Sequence, residues 1–480
     1  MQDAARDRAI ERGRNYLDSG EFLDTLRRLV AVQSESHPPL RKPELERYCH
    51  DVMGPYLEKS GFTIDIFDNP LPQHGPFLVA RRIEGDSQPT VLVYGHGDVV
   101  RAMPERWRDD LDPWKMKVEG KRVYGRGTVD NKGQHLIAID ALRAVIEERG
   151  SLGFNAKVLI EMGEEAGSPG LAQFLSDQKE MLASDVFIAL DGPRQNMDVA
   201  DITLGTRGGM SLDLVVALRE GSHHSGHWGG LLKDPAVVLC HAISTIIARD
   251  GRIMVDGWRP KHVPEAVREA SKAVRFKDLP GSPVPDEDWG EPDLGRAERI
   301  YAWNSAIILS MISGQPENPV PAVSGFAKAR IQLRHTIDTD ADEVAPALRR
   351  HLDEHGFQEV KVELVSERDM FPPSRTDPED PWVKLVAASI ERTMAQVPNI
   401  IPTIGASGPS EYFKQILGVP VIWLPQSYGG CGQHGPDEHG LIDLYRDGLA
   451  MMSGVFWDIG SAAGEVRSAT DGGAGGTPAY

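Results

Sequence analysis

The chain of 480 residues has few cysteines, no long hydrophobic run and no excess of positive charge. Its three cysteines, Cys49, Cys240 and Cys431, lie far apart without a Cys-x-x-Cys pair, which argues against a disulfide framework or a cysteine-zinc site. No apolar run reaches the roughly 20 residues of a membrane span, and residues 1–14 lack the apolar core of a signal peptide. These features predict a cytoplasmic protein without a membrane partner.

The charge balance narrows the choice of partners. There are 71 Asp and Glu residues against 52 Lys and Arg residues, which gives a net charge of −19. Nucleic acids and anionic membranes select basic surfaces, so the sequence predicts no nucleic-acid partner. A chain of this length exceeds what one hydrophobic core usually supports, and two domains are expected.

The order of predicted elements indicates an α/β fold with an insertion. Residues 91–96, 157–161 and 186–190 have the pattern of buried strands, and residues 132–148 have the pattern of a helix between them, which favours a mostly parallel sheet. Residues 201–219 and 327–336 alternate like antiparallel strands. We predict further helices at residues 235–248, 297–312 and 441–457, and irregular structure at residues 250–296.

The predicted domains follow from this change of pattern. A catalytic α/β domain comprises residues 1–203 and 367–460. An α+β lid or dimerisation domain, residues 204–366, is inserted into it, and residues 461–480 are rich in small residues and predicted to be a disordered tail.

Polar groups follow most of the predicted strands of the first domain. They are His96 and Asp98, Asp130, Glu164 and Glu165, Asp191 and, in a glycine-rich loop, His434. The carboxyl ends of parallel strands meet at one sheet edge, and crowded carboxylates there need a cation. Mixed nitrogen and oxygen ligands suit zinc, and a carboxylate that bridges suits two ions about 3.5–4 Å apart.

In two pairs of these residues, His96 with Asp98 and Glu164 with Glu165, the two members have different predicted roles. Asp98 shares a face of the strand with His96 and can accept a hydrogen bond from the imidazole ring. If this His-x-Asp motif is considered by itself, the alternative interpretation is a solvated turn. Glu164 and Glu165 are adjacent and point apart if extended, so one should bind metal and the other should move protons.

Five motifs in order carry a resemblance to a known family. They are Gly95-His96-Gly97-Asp98-Val99-Val100, Gly125-Arg126-Gly127-Thr128-Val129-Asp130-Asn131-Lys132-Gly133, Glu161-Met162-Gly163-Glu164-Glu165-Ala166-Gly167, His224-Ser225-Gly226 and a late histidine. From about residue 20 to residue 460 the sequence resembles the dizinc metallopeptidases that include aminoacylase, carnosinase and other dipeptidases, carboxypeptidase G and succinyl-diaminopimelate desuccinylase.

The resemblance implies a metal centre with assigned roles. His96 and Asp191 would hold one Zn²⁺, Glu165 and His434 the other, and Asp130 would bridge both, with Mn²⁺ or Co²⁺ as alternatives. Asp98 would orient His96, and Glu164 would be the general base for the bridging water. A cis peptide would follow Asp130.

The resemblance also implies substrate contacts and a homodimer. His224 would stabilise the oxyanion, acting in its own subunit or reaching across to a partner through the inserted domain. Arg334 would bind a substrate carboxylate, although an exposed strand arginine is the alternative. Ser407 and Gly408 lie in a loop that departs from the family's Gly-Gly-Ser form, and His223 and His227 are interpreted as solvated turn residues.

The predicted function is metal-dependent hydrolysis of an amide bond. The first hypothesis is a dipeptidase or carboxypeptidase, because His-Ser-Gly-His-Trp-Gly-Gly resembles the carnosinase and Cys-Gly dipeptidase branch. The alternatives are a deacylase of N-acyl amino acids and a hydrolase of another small amide or aryl amine. A non-catalytic binding module would show a gap in the ligand set, and the sequence has none.

Overall fold

The computed structural model describes residues 2–279, 282–365, 372–405 and 408–473. The helices are α1 (Gln2–Asp18), α2 (Glu21–Val30), α3 (Lys42–Arg47), α4 (Gly54–Lys59), α5 (Lys132–Arg149), α6 (Leu171–Asp177), α7 (Lys179–Leu182), α8 (Ser225–Trp228), α9 (Pro235–Ile246), α10 (Glu265–Lys272), α11 (Arg296–Tyr301), α12 (Ala341–Glu354), α13 (Pro381–Met394), α14 (Ser410–Tyr412) and α15 (Ile442–Gly473). Within the described ranges, no helix is long and apolar enough to cross a membrane.

The strands form two main sheets and two small ones. They are β1 (Thr63–Phe67), β2 (Phe77–Arg82), β3 (Thr90–His96), β4 (Lys117–Glu119), β5 (Arg122–Tyr124), β6 (Asn155–Glu161), β7 (Val186–Ala189), β8 (Pro193–Arg194), β9 (Asp201–Thr203), β10 (Gly208–His224), β11 (Ser305–Ser313), β12 (Ala322–His335), β13 (Val360–Leu364), β14 (Asn399–Ile401), β15 (Val421–Trp423), β16 (Ser427–Tyr428) and β17 (His439–Leu441).

The larger sheet has eight strands in the order β1-β2-β6-β3-β7-β15-β9-β14. Its centre is parallel, since β6, β3, β7 and β15 all run in one direction. The edge formed by β1 and β2 is antiparallel, as is the single bridge between β15 and β9. The α/β prediction is therefore confirmed for the centre of the sheet, from which the polar residues of the first domain project.

Helices cover both faces of this sheet. Along β3, Val93 faces a core built with α1, α2, α5, α13 and α15, whereas Leu92 and Tyr94 face a smaller core with α6. Side chains of a strand alternate between faces, so a strand covered on both sides must be apolar throughout. This explains why the sequences of β3 and β6 are mostly apolar and are followed abruptly by charged residues.

The second sheet has the order β11-β12-β10-β13 and is antiparallel throughout. Alternate residues of β12 are buried, and α9 and α12 pack on that face around Leu212, Ile331 and Trp258. All four strands come from residues 208–364, within the predicted insertion.

The predicted helix at residues 297–312 is wrong in its second half. Helix α11 ends at Tyr301, and residues 305–313 form β11, which pairs with β12. The run Ser305-Ala306-Ile307-Ile308 contains β-branched residues that fit a pleated strand, and pairing along β12 satisfies the backbone of β11.

The last helix also extends beyond its predicted end. Helix α15 continues to Gly473, so residues 461–473 of the predicted disordered tail are helical. Alanine is the best helix former, and no proline interrupts the chain before Pro478.

Candidate active site

Three neighbouring strands, β3, β6 and β7, end beside polar residues at one edge of the large sheet, and two loops bring further polar residues to that edge. His96 ends β3, Glu164 and Glu165 form a turn directly after β6, and Asp191 lies two residues after β7. Asp130 directly precedes the short turn into α5, and His434 lies in the loop beyond β16. The carboxyl ends of parallel strands share an edge, which is why residues so far apart in sequence meet.

His96 is the centre of one half of the cluster. Its Nε2 atom lies 3.1 Å from Asp130 Oδ1, 3.5 Å from Asp191 Oδ2 and 3.9 Å from Glu164 Oε2. The imidazole is fully buried, so these oxygens are its polar surroundings.

His434 is the centre of the other half. Its Nε2 atom lies 2.9 Å from Asp130 Oδ2 and 3.0 Å from Glu165 Oε2. Asp130 therefore lies between the two imidazoles and directs one carboxylate oxygen towards each. This is the arrangement that the resemblance implied for a bridging ligand.

The electrostatics of the cluster reflect its crowding. Burial, followed by the neighbouring acidic groups, raises the pKa of Glu164 well above its usual range. Burial and then Asp130 raise the pKa of Glu165 to about 8. Hydrogen bonding to Asp130 and Glu165 raises the pKa of His434 to about 10. These directions follow from carboxyl and imidazole groups crowded together in a buried site.

The donor set fits divalent metal ions. One ligand atom each from His96, Asp130 and Glu165 lies within 4.8 Å of the others. Glu165 Oε1 is buried and has no hydrogen-bond partner among the described residues, and a buried polar atom of this kind needs a ligand. Imidazole nitrogen combined with carboxylate oxygen is a typical ligand set for zinc.

Asp98 contacts both His96 and the turn that follows β6. Its carboxylate Oδ1 is 3.4 Å from His96 Nδ1, whereas its backbone carbonyl is 3.1 Å away and is the closer acceptor. The carboxylate accepts the backbone N–H groups of Glu164 and Glu165, at 3.2 and 3.1 Å. Asp98 thereby ties the turn after β6 to the end of β3, and the two glutamates diverge from this turn.

The predicted cis peptide is present between Asp130 and Asn131. The Asn131 side chain donates to the carbonyl of Leu190 at 2.7 Å, and its Oδ1 lies 3.1 Å from Nδ1 of the buried His135. These contacts connect the start of α5 to the end of β7, just before Asp191.

A cavity of about 520 Å³ opens on the cluster. Asp130, Glu164, Asp191 and His434 line one end of it, and Gly408 lines another part. The volume lies within the range of about 300–1,000 Å³ that small-molecule sites occupy.

His224 and Arg334, which were predicted to bind substrate, are not among the described residues that line the cavity. His224 is exposed at the end of β10, accepts a hydrogen bond from Gly226 N at 3.2 Å and is not among the described residues that line the cavity. Arg334 is half-buried on β12 and donates to Gln332 Oε1 at 3.3 Å. Ser407 lies outside the described residues.

Comparison with known families identifies the chain. Residues 92–458 match the model of peptidase family M20/M25/M40. The chain belongs to this family. It is therefore a metal-dependent hydrolase of amide bonds, as its motifs predicted.

Individual relatives of this M20 chain align with two thirds or more of its length. It is 30% identical to Beta-Ala-His dipeptidase of Mus musculus over 96% of the chain and 97% of that protein. It is 29% identical to Cysteinylglycine-S-conjugate dipeptidase of Corynebacterium striatum over 68% of the chain and 71% of that protein.

Solved structures show the same fold. Human carnosine dipeptidase 1 matches with a TM-score of 0.69 at 24% identity, over 94% of this chain and 99% of that chain. The M20 family metallo-carboxypeptidase Sso-CP2 from Sulfolobus solfataricus matches with a TM-score of 0.70 at 22% identity, over 92% and 99%.

One supporting residue of the M20 site was missed in the sequence. The fully buried Glu438 pairs with Arg126 Nη1 at 2.7 Å and accepts the backbone N–H groups of Gly127, Val129 and Asp130 at 3.1, 3.0 and 3.3 Å. It therefore holds the backbone that presents Asp130. Only its spacing of four residues from His434 could have drawn attention to it.

We predict that Glu438→Gln destabilises the protein by about 3 kcal/mol, because it leaves the Arg126 charge buried without a counter-charge. It should also weaken zinc retention, since the backbone at Asp130 loses a charged acceptor. Urea unfolding and zinc content after dialysis measure the two effects.

Glu359→Gln is the matched control, because Glu359 pairs with a largely exposed Lys233 and the loss should be below about 1 kcal/mol. If both variants unfold at the same urea concentration, the Glu438 contacts do not support the site.

Proposed function

We propose that the chain is a dipeptidase that uses two Zn²⁺ ions per subunit. The observation that carries this proposal is the position of Asp130, which directs one oxygen to His96 and the other to His434. Asp191 would complete the first metal site and Glu165 the second, with Mn²⁺ or Co²⁺ as alternative ions. When bound, the ions would polarise the scissile carbonyl and lower the pKa of the attacking water.

Glu164 is the proposed proton carrier. It lines the cavity beside the cluster, and its carboxylate lies 3.9 Å from His96 Nε2, farther than those of Asp130 and Asp191. From this position its carboxylate can accept a proton from the attacking water and return it to the leaving amine.

Dipeptides are the proposed substrates because relatives that align along nearly the whole chain are named dipeptidases. Deacylation of N-acyl amino acids is the alternative, since the same groups would cleave that amide. Arg334 and Gly408, together with Ser407, are proposed to bind the substrate carboxylate. A cytoplasmic location stays a prediction.

A homodimer is proposed from the position of His224 and from an exposed apolar strand. His224 is not among the described cavity-lining residues of its own subunit, so a role as oxyanion donor would require it to reach a partner's site. Strand β11 is the edge of the second sheet and exposes Ile307, Leu309 and Ile312, each by about half. Exposed apolar edges of this kind favour pairing with another chain.

Glu164→Ala should lower kcat for dipeptides by roughly 10²–10⁴-fold, because the proton carrier is lost. Zinc content should stay at the wild-type value, since Glu164 is not a proposed ligand. The measurement is hydrolysis of a panel of dipeptides and N-acetyl amino acids by zinc-loaded protein.

The exposed Glu180→Ala is the control and should match wild type. Cleavage of acyl amino acids alone would favour the deacylase, and undiminished hydrolysis by Glu164→Ala would contradict the proposed role.

Mixing two inactive variants tests whether His224 acts across the dimer. Glu164→Ala and His224→Ala subunits, after exchange, should form heterodimers in which one site has both groups. Random exchange should then restore about a quarter of wild-type activity. If the mixture stays inactive although heterodimers form, His224 does not act in the partner's site.

A further inference from the structure

A segment of the second domain reaches back over the active-site cavity. Residues 274–279 and helix α11 lie between the strands of the second sheet in sequence, yet Val274 and Tyr301 share a small buried cluster with Ile401 of β14. Strand β14 belongs to the large sheet. We refer to residues 274–279 and 296–301 as the cavity wall.

The cavity wall is fixed to the large-sheet domain by several contacts. Thr403 Oγ1 donates to the carbonyl of Tyr301 at 2.7 Å, and the backbone N–H of Arg275 donates to Asn399 Oδ1 at 3.0 Å. Lys277 N donates to the carbonyl of Gln195 at 3.3 Å, and the Lys277 side chain pairs with Asp198. These bonds keep the wall in one position against the cavity.

The wall presents an apolar surface to the cavity. Phe276, Ile300 and Tyr301 line it together with Ile404 from the opposite loop. The rings of Phe276 and Tyr301 are stacked with centroids 5.9 Å apart, and the Arg296 guanidinium lies over Phe276 at 4.3 Å. Arg296 also pairs with Asp278, at 2.6 and 2.7 Å, so its charge is balanced within the wall.

The distribution of charge in the cavity is uneven. Among the described lining residues, the carboxylates are Asp130, Glu164 and Asp191, and all three belong to the metal end. The described residues that line the wall end include no carboxylate for a lysine, arginine or histidinium side chain, which would be desolvated there without a counter-charge. The Asp278 carboxylate of the wall is already paired with Arg296.

We propose that the cavity wall selects substrates with a large apolar or aromatic side chain over small or basic ones. This inference rests on the proposed peptidase function and specifies its substrate class. An apolar side chain that covers Phe276 and Ile300 removes apolar surface from water on both partners, whereas glycine leaves that surface hydrated. A basic side chain loses its hydration without gaining a counter-charge.

The test compares kcat/KM of zinc-loaded full-length protein for Leu-Gly, Phe-Gly, Lys-Gly and Gly-Gly, and for the reversed series Gly-Leu, Gly-Phe and Gly-Lys. In at least one series, wild type should favour the apolar residue over both lysine and glycine. Ile300→Ala should reduce the ratio of apolar to glycine substrates by about tenfold, mainly through KM, and Ile300→Val should restore most of it.

Ile300→Glu gives a readout that structural damage would not produce. It adds a carboxylate to the wall and should raise kcat/KM for the lysine substrate relative to the leucine substrate. Ile83→Ala is the matched control, because Ile83 is 55% exposed, and it should leave every ratio at the wild-type value.

The outcomes separate this inference from the proposed function. If wild type cleaves dipeptides without preferring apolar residues in either series, or if the Ile300 variants change no ratio, the wall does not set specificity although the peptidase stands. If wild type cleaves none of the dipeptides, the proposed function itself is wrong.

Discussion

The structure depends on how one sheet edge accommodates several buried charges. Four carboxylates and two imidazoles lie there within a few ångströms of one another, and like charges in a partly dry site repel strongly. Divalent cations relieve that repulsion, and Asp130 is the residue that can share its charge between two of them. The fold supplies the positions, because three parallel strands end beside these groups and two loops bring Asp130 and His434 to the same edge. Among the described residues that line the cavity, Glu164 is the acidic group that is not a proposed ligand, and the chemistry follows from it.

A layer of hydrogen bonds behind the cluster fixes its geometry. Asp98 holds the turn of Glu164 and Glu165 through their backbone N–H groups. Glu438, paired with the buried Arg126, holds the backbone at Asp130. In both places a buried carboxylate is satisfied by backbone donors, which orients the functional groups without crowding them further. Such supporting contacts position metal ligands as strictly as the ligands position the metal.

The sequence predicted the parts of the site that depend on local pattern. Apolar strands that end in His96, Glu164 and Asp191 were recognised because a parallel sheet brings such ends together. Features that depend on distant contacts were not predictable in the same way. The chain at β11 was predicted as helix because its pairing with β12 is not visible in its own residues. Glu438 does not lie in a recognised sequence motif, and the groups that its carboxylate contacts belong to residues 126–130, a distant segment of the chain. The cavity wall was predicted only in part. Residues 274–279 were interpreted as irregular structure and residues 297–301 as the start of a helix, whereas the position of both comes from contacts with β14 and with the loop after β8.

The most direct test of the central claim is the anomalous scattering of zinc in crystals of the zinc-loaded protein. The account predicts two peaks about 3.5–4 Å apart on either side of Asp130, one beside His96 and Asp191 and the other beside Glu165 and His434. A single peak, or two peaks without Asp130 between them, would contradict a centre in which this carboxylate joins two ions.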